Sequence, residues 1–186
     1  MAFLVSGGNT ESLLCNSPEE PFLKLGNTLD DACGECMDKV FRCIYEHQTD
    51  VFPPDAVIKH GGAQISIWAS EYEKTMMKEN PPSSTNRWIK QNRIPFPTPL
   101  SKHKTYNFSF SGIKTHSIRY IEREVQANRF SYPEILRFSF YFERAIIGHL
   151  IHKLEFTLQH IPTIRSIVCL HPLAFSNLRN SVVVEV

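Results

Sequence analysis

Leu4-Val5-Ser6-Gly7-Gly8-Asn9-Thr10 is a short apolar strand that breaks into two glycines and then into hydroxyl and amide side chains. Glycine has no Cβ and tolerates positive φ, so such a turn can aim backbone N–H groups at an anion, with Ser6 and Thr10 as added donors. Strand-Gly-Gly turns are also ordinary hairpin connections, and the segment alone admits both readings. Gly34-Glu35-x-x-Asp38-Lys39 puts Glu35, Asp38 and Lys39 within about one helical turn, because positions three or four apart are neighbours on a helix. Such a group can clamp a polar ligand, or Glu35 and Lys39 can form a surface ion pair. Gly61-Gly62 is either a close approach of backbone to ligand at a helix N-terminus or a plain loop-to-helix junction. In Phe-Ser-Phe-Ser-Gly-Ile-Lys-Thr (108–115), Ser109, Ser111 and Lys114 can donate to phosphate or RNA, and Gly112 permits close approach. No His-and-acid pair is placed to make either serine a nucleophile, so the segment reads as a wall and no catalytic residue is assignable.

Two other groupings invite chemistry and fall short of it. His149 and His152 stand three apart on a helical pattern, but a metal site needs further ligands and none recurs nearby. Cys33-x-x-Cys36 lies inside a helical pattern with no second pair, which points to a structural role. Five cysteines, an odd number, argue against a disulfide framework and for a reducing compartment.

The elements that must position these residues follow from periodicity. Ala2 to Ser6, Glu11 to Cys15 and Pro21 to Leu25 read as a β-meander. Thr28 followed by Asp31 resembles a capping box for a helix carrying Ala32, Cys33, Cys36, Met37, Val40, Phe41 and Ile44 to about His47. Pro53 and Pro54 enforce a loop, after which Ala63, Ile65, Trp68, Ala69, Tyr72 and Met76 mark a second helix opened by Gly61-Gly62. Residues 80–107 read as a long surface loop and not as a domain boundary. Phe108 and Phe110 alternate with the serines as a short strand, and Gly112 begins a helix with Ile118, Ile121 and Val125 on one face. Ser131, Pro133 and Glu134 cap a long helix striped by Ile135, Phe138, Phe142, Ile146, Leu150 and Leu154. Ile164 to Leu170 reads as a buried strand, and Val182 to Val186 fits no pattern.

With 186 residues, 42% hydrophobic content and a formal charge of +1, the chain suits one globular α/β unit, and no run approaches the ~18 apolar residues of a membrane span. The balance conceals an asymmetry: residues 1–86 hold 13 acids against 6 Lys/Arg, and residues 87–144 hold 11 Lys/Arg against 4 acids. That middle is either a face for RNA phosphate, weakened by charge reversal at Arg119 and Arg123, or a set of solvated helix surfaces.

In their order, the Ser-Gly-Gly loop, Gly-Asn-Thr-Leu-Asp-Asp-Ala-Cys-Gly-Glu-Cys-Met-Asp-Lys (26–39), Gly61-Gly62 and the Phe-Ser-Phe-Ser-Gly segment resemble the TsaD-type tRNA threonylcarbamoyladenosine synthases, formerly described as O-sialoglycoprotein endopeptidases. The resemblance runs over about the first 115 residues and then fades to a helix, a strand and Ser176-Asn177. It implies an actin-like, two-lobed α/β fold, with residues 1–186 a partial domain, mainly the second lobe, incomplete at both ends. It implies transfer of threonylcarbamoyl from threonylcarbamoyl-AMP to N6 of the adenine 3′ of the anticodon in tRNAs reading ANN codons. The substrate-binding positions would be Leu4, Val5, Ser6, Gly7, Gly8, Asp38, Gly62 and Asn177, with Asn9, Thr10, Glu35, Ser109, Ser111 and Lys114 as cleft wall. Implied partners are tRNA, an adenine nucleotide and a second copy of the chain, with no membrane. The family's divalent metal, iron or zinc, uses a His-x-x-x-His motif upstream and an aspartate far downstream; neither is among these residues, so this chain is expected to be incomplete for catalysis.

Three departures qualify the match. Asn9 stands where the family has histidine, and His60 and Ala63 flank the glycines where it has prolines. Pro172-Leu173-Ala174-Phe175 precedes Ser176-Asn177 where it has Gly-Gly-Val-Ala. Loop spacing resembles the mitochondrial branch, which makes the mitochondrion the expected location and the cytoplasm the alternative. The competing reading is a non-catalytic truncated paralogue that binds RNA or a partner. A peptidase is the least supported reading, since no nucleophile, base and orienting group assemble from these residues.

Overall fold

Alternation of buried and half-buried side chains over the first residues produces the expected meander, because each strand has one face to hide. The computed structural model describes residues 1–15, 17, 19–47, 52, 61–79, 93–170 and 183–185. Strands β1 (Ala2–Val5), β2 (Thr10–Leu14) and β3 (Leu23–Asn27) pair antiparallel in sequence, with a register irregularity between Ser12 and Leu13. Helices α1 (Cys33–His47), α2 (Gly62–Glu79), α3 (Ser111–Gln126) and α4 (Tyr132–His160) follow, and β4 (Ser166–Leu170) then returns to lie parallel beside β1. A parallel return needs a long crossover, which the helices supply. Residues 183–185, unpatterned in sequence, form a last strand β5 (Val183–Glu185), antiparallel to β4, giving the order β3-β2-β1-β4-β5.

The core lies between this sheet and the helices. Cys33, Cys36, Met37, Val40 and Ile44 form one face of α1, and the expected stripe of α4 buries Ile135, Phe138, Phe142 and Ile146 completely. The two thiols belong to that core: burial pushes Cys36 up to about 12 and Cys33 higher still, so neither is a reactive thiolate.

Several local expectations give way to tertiary contacts. Thr28 does not cap α1; its hydroxyl donates to the Asp31 carbonyl, and the helix starts later, where the Thr10 hydroxyl accepts the Cys33 N–H at 2.9 Å. Ser131 sits at the N-terminus of α4 but its side chain makes no capping bond, while Glu134 is drawn sideways to Arg137 and Tyr120. Phe108 to Phe110 is not a strand but a single parallel bridge, Thr28 to Phe108, with both phenylalanines fully buried. Residues 93–107 are irregular as expected but not wholly superficial, since Ile94 is buried and Phe96 packs against His116, Phe138 and Phe142. Positions 80–92, most of 49–59 and 171–182, which include Asn177, lie outside the described residues.

Candidate functional site

Helix α1 organises the site through residues one turn apart. Gly34 and Asp38 share a face by their i, i+4 spacing. The β1–β2 hairpin leans on the first: Gly34 donates its N–H to the Ser6 carbonyl at 3.1 Å, and a Cβ on Gly34 would stand 2.5 Å from Gly7 Cα and 2.8 Å from Ser6 O. Only glycine admits that approach. The hairpin closes on itself, with Ser6 N–H donating to the Asn9 carbonyl at 2.7 Å and Asn9 N–H to Ser6 Oγ at 2.9 Å. Gly7, Gly8 and Asn9 are exposed at its tip, while Leu4 and Val5 are held in β1.

The glycines at the tip are not there for their conformational freedom. Neither Gly7 nor Gly8 has positive φ, and a Cβ on either would meet nothing within 4 Å. The fold therefore tolerates a larger residue at both positions; the Gly7 nitrogen lies against Gly34, and the open ground is on the side to which a Cβ would project.

One turn along α1, Asp38 Oδ1 accepts the Gly62 N–H at 2.9 Å and so satisfies one of the free donors at the start of α2. Gly61 turns with φ 66°, and a Cβ there would lie 1.9 Å from the same Asp38 oxygen. The positive φ falls on the first glycine of the pair, and Gly62 is the one whose backbone faces Asp38. Loop, Asp38 and Gly61-Gly62, separate in sequence, are thus aligned on one face of one helix.

The remaining positions expected to line a cleft are engaged inside the protein. Thr10 is fully buried, its hydroxyl spent on Cys33, and it reaches no external phosphate. Glu35 and Lys39 make the i, i+4 ion pair at 2.7 Å, and Lys39 also reaches Asp31 at 2.7 Å. Lys114 pairs with Asp31 on the other side instead of facing outward. Burial works against the Asp31 charge, but Lys114 and Lys39 outweigh it and hold the carboxyl below its usual range. Ser109 and Ser111 donate their hydroxyls to Asp30 Oδ2 at 2.5 and 2.7 Å. Neither Asp30 nor Asp31 is among the expected site residues; the signal available in sequence is two adjacent aspartates directly before a helix, while their serine and lysine partners lie about 80 residues on.

That geometry also bears on the old peptidase reading. The Ser109 hydroxyl is directed at Asp30, while His149 Nε2 accepts the Ser109 backbone N–H at 3.3 Å, so the imidazole does not face the hydroxyl it would have to deprotonate. His149 is buried against Phe108 and Phe110, and desolvation lowers it to about 4, helped by Lys153 and His152. Among the described residues no three His, Cys, Asp or Glu side chains stand together in a way that could hold a metal ion. These residues do not fit the family's metal.

Part of the basic middle is paired with carboxylates. Lys114, Arg123, Arg129, Arg137 and Arg144 pair with Asp31, Glu124, Glu124, Glu134 and Glu73, whereas Arg93, Lys102, Lys104 and Arg119 are exposed and pair with no carboxylate among the described residues. Of the two arginines singled out in sequence, Arg119 pairs with no carboxylate among the described residues, whereas Arg123, 65% exposed, shares Glu124 with Arg129.

Comparison with known proteins places this arrangement in context. The probable mitochondrial tRNA N6-adenosine threonylcarbamoyltransferase of Drosophila melanogaster is 29% identical over 164 residues, covering 86% of this chain and 35% of that protein. The tRNA N6-adenosine threonylcarbamoyltransferases of Bacillus subtilis and Sulfurihydrogenibium are 32% and 35% identical, over 82% and 67% of the chain and 35% and 29% of theirs. The chain thus spans about a third of the length of these relatives. The family model described as "TsaD: tRNA N6-adenosine threonylcarbamoyltransferase" matches residues 1–184, and the chain belongs to that family.

Proposed function

We propose that this chain forms one wall of a nucleotide cleft of the actin-like type, mainly its second lobe, that holds threonylcarbamoyl-AMP for transfer to the N6 amine of a tRNA adenine. The reading rests on one observation: the exposed Ser6-Gly7-Gly8 tip, Asp38 and the Gly62 turn lie along a single face of α1. Backbone N–H groups at the tip meet the phosphate, and Asp38, with Oδ1 held by Gly62, offers Oδ2 to a ribose or threonyl hydroxyl. The chain's own part in the reaction is to bind and orient the adenylate, a contribution that can reach several kcal/mol of barrier when the opposing wall is present. These residues supply no proton-transfer group. The name of the Drosophila relative supports a mitochondrial location. Saturable heat on titrating AMP into the chain is expected, and no heat at millimolar AMP would overturn the proposal.

The tRNA half of the reading now has a sharper address. Lys102 and Lys104 flank exposed His103 on the loop that leads to the Phe-Ser-Phe-Ser-Gly segment. The Lys102→Glu/Lys104→Glu double variant is expected to weaken tRNA binding and to flatten its dependence on log salt by about two units, since each lost phosphate contact removes roughly one. Arg123→Glu, already paired in the wild type, should change affinity little. Filter binding at several salt concentrations decides it; equal slopes for wild type and double variant would rule this loop out.

A further inference from the structure

The segment from Thr28 to Gly34 is tied to the β1–β2 hairpin on one side and to the start of α3 on the other. Toward the hairpin, Thr28 N–H donates to the Thr10 carbonyl at 3.0 Å, Cys33 N–H to Thr10 Oγ1 at 2.9 Å and Gly34 N–H to the Ser6 carbonyl at 3.1 Å. Toward α3, Leu29 N–H donates to the Phe108 carbonyl at 2.9 Å and Asp31 pairs with Lys114, and the Asp30 side chain holds the start of the helix itself. The Asp30 carboxylate accepts four hydrogen bonds: Phe110 N–H at 2.7 Å and Ser111 N–H at 3.1 Å on Oδ1, and the Ser109 and Ser111 hydroxyls at 2.5 and 2.7 Å on Oδ2. It caps the start of α3 from another part of the chain, where free N–H groups favour a negative charge. Burial opposes the charge, but these donors outweigh it and hold the carboxyl below its usual range.

We propose that Asp30 is a positioning residue: an internal anion that sets the start of α3 against the Thr28–Gly34 segment and, through Gly34, fixes the Ser6-Gly7-Gly8 tip for its ligand. It touches no substrate. The serine pair accordingly serves as a clamp for Asp30 and not as a donor to phosphate. The consequence for the ligand rests on the cleft reading above; the mechanical coupling does not.

Two observables separate these parts. Amide exchange at Gly34, whose N–H bonds the loop carbonyl, reports transmission, and exchange at Ala127, bonded to Arg123 O at the far end of α3, reports general unfolding. Asp30→Ala is expected to speed exchange at Gly34 about tenfold while leaving Ala127 unchanged. Formate, a carboxylate small enough to enter the vacated donors, should restore protection, and chloride at equal ionic strength should not. Should Ala127 also accelerate, Asp30→Asn provides the comparison, because it keeps an acceptor for the two N–H groups but loses the charge; a smaller rise at Gly34 is then expected. Wild-type exchange at Gly34 in both variants, or no recovery with formate, would overturn the inference. In the same samples AMP affinity should fall with Asp30→Ala and recover with formate. If the wild type binds no AMP, the cleft reading fails and the exchange result alone decides the role of Asp30; if wild type and Asp30→Ala bind AMP equally, the positioning role fails.

Discussion

Gly34→Ala is expected to lower the stability of the chain by about 2–3 kcal/mol, although alanine is the better helix former by ~1 kcal/mol. The added Cβ would lie 2.5 Å from Gly7 Cα, 2.8 Å from Ser6 O and 2.9 Å from Gly7 N, all of them backbone atoms that no rotamer change can remove. Helix α1 or the hairpin must retreat, and the Gly34 N–H to Ser6 O bond is lost with the movement, at a cost of about 1 kcal/mol. An internal control is available in Gly148, on α4, where a Cβ meets nothing within 4 Å and alanine should stabilise by roughly 0.5–1 kcal/mol. Urea denaturation of both variants checks the pair; a stabilised Gly34→Ala would mean that the hairpin is not pressed against α1.

The second large effect is a pH dependence that two buried groups conceal from each other. Glu143 on α4 is buried against α2, with Ser66 donating its hydroxyl at 2.6 Å, and desolvation raises it to about 7 despite that bond, with Glu73 adding to the rise. Its usual value is 4.5, so the stability it supplies is complete below pH 4.5 and is lost as pH rises through 7. His149 behaves in the opposite sense: lowered from 6.5 to about 4, it supplies stability that is complete above pH 6.5 and is lost as pH falls through 4. Each contribution is about 3 kcal/mol across its window, and between pH 4.5 and 6.5 the two slopes cancel. Glu143→Gln keeps the acceptor for Ser66 and removes the charge. The variant should therefore be about 2–3 kcal/mol more stable than wild type at pH 8, equal to it at pH 4, and newly sensitive to acid between those values. Denaturation curves at both pH values test this, and a constant difference between the two proteins would refute it.

What the sequence made legible, and what it did not, divides along the range of the interactions. The α1 and α4 stripes, the meander and strand β4 were readable because periodicity reports the face that each element buries, although in β4 Ser166 is exposed and Ile167 buried. Ser131, Pro133 and Glu134 do mark the start of α4, but the Ser131 side chain makes no capping bond, and at α1 the Cys33 N–H is met not by Thr28 but by Thr10 from β2. The same limit applies to the site. Motif order singled out the glycine tip, Asp38 and Gly62, which the fold brings to one face of α1, but local spacing could not reveal that Lys114, Ser109 and Ser111 are consumed by Asp31 and Asp30, about 80 residues earlier. Nor could a count of charges in 87–144 reveal that five of the cations are paired with carboxylates.

The central claim is that the hairpin tip and the α1 face bind a nucleotide, and Gly8→Ala isolates it. Gly8 has open space around it and ordinary backbone angles, so alanine should change stability by no more than about 0.5 kcal/mol. The methyl group would nonetheless occupy the ground on which a phosphate must approach the tip N–H groups. Calorimetric titration of AMP into wild type and Gly8→Ala at equal folded concentration is the direct measurement: affinity is expected to fall about tenfold or more in the variant, matching the loss of a charge-assisted hydrogen bond. Identical affinities would place the nucleotide elsewhere and contradict the cleft.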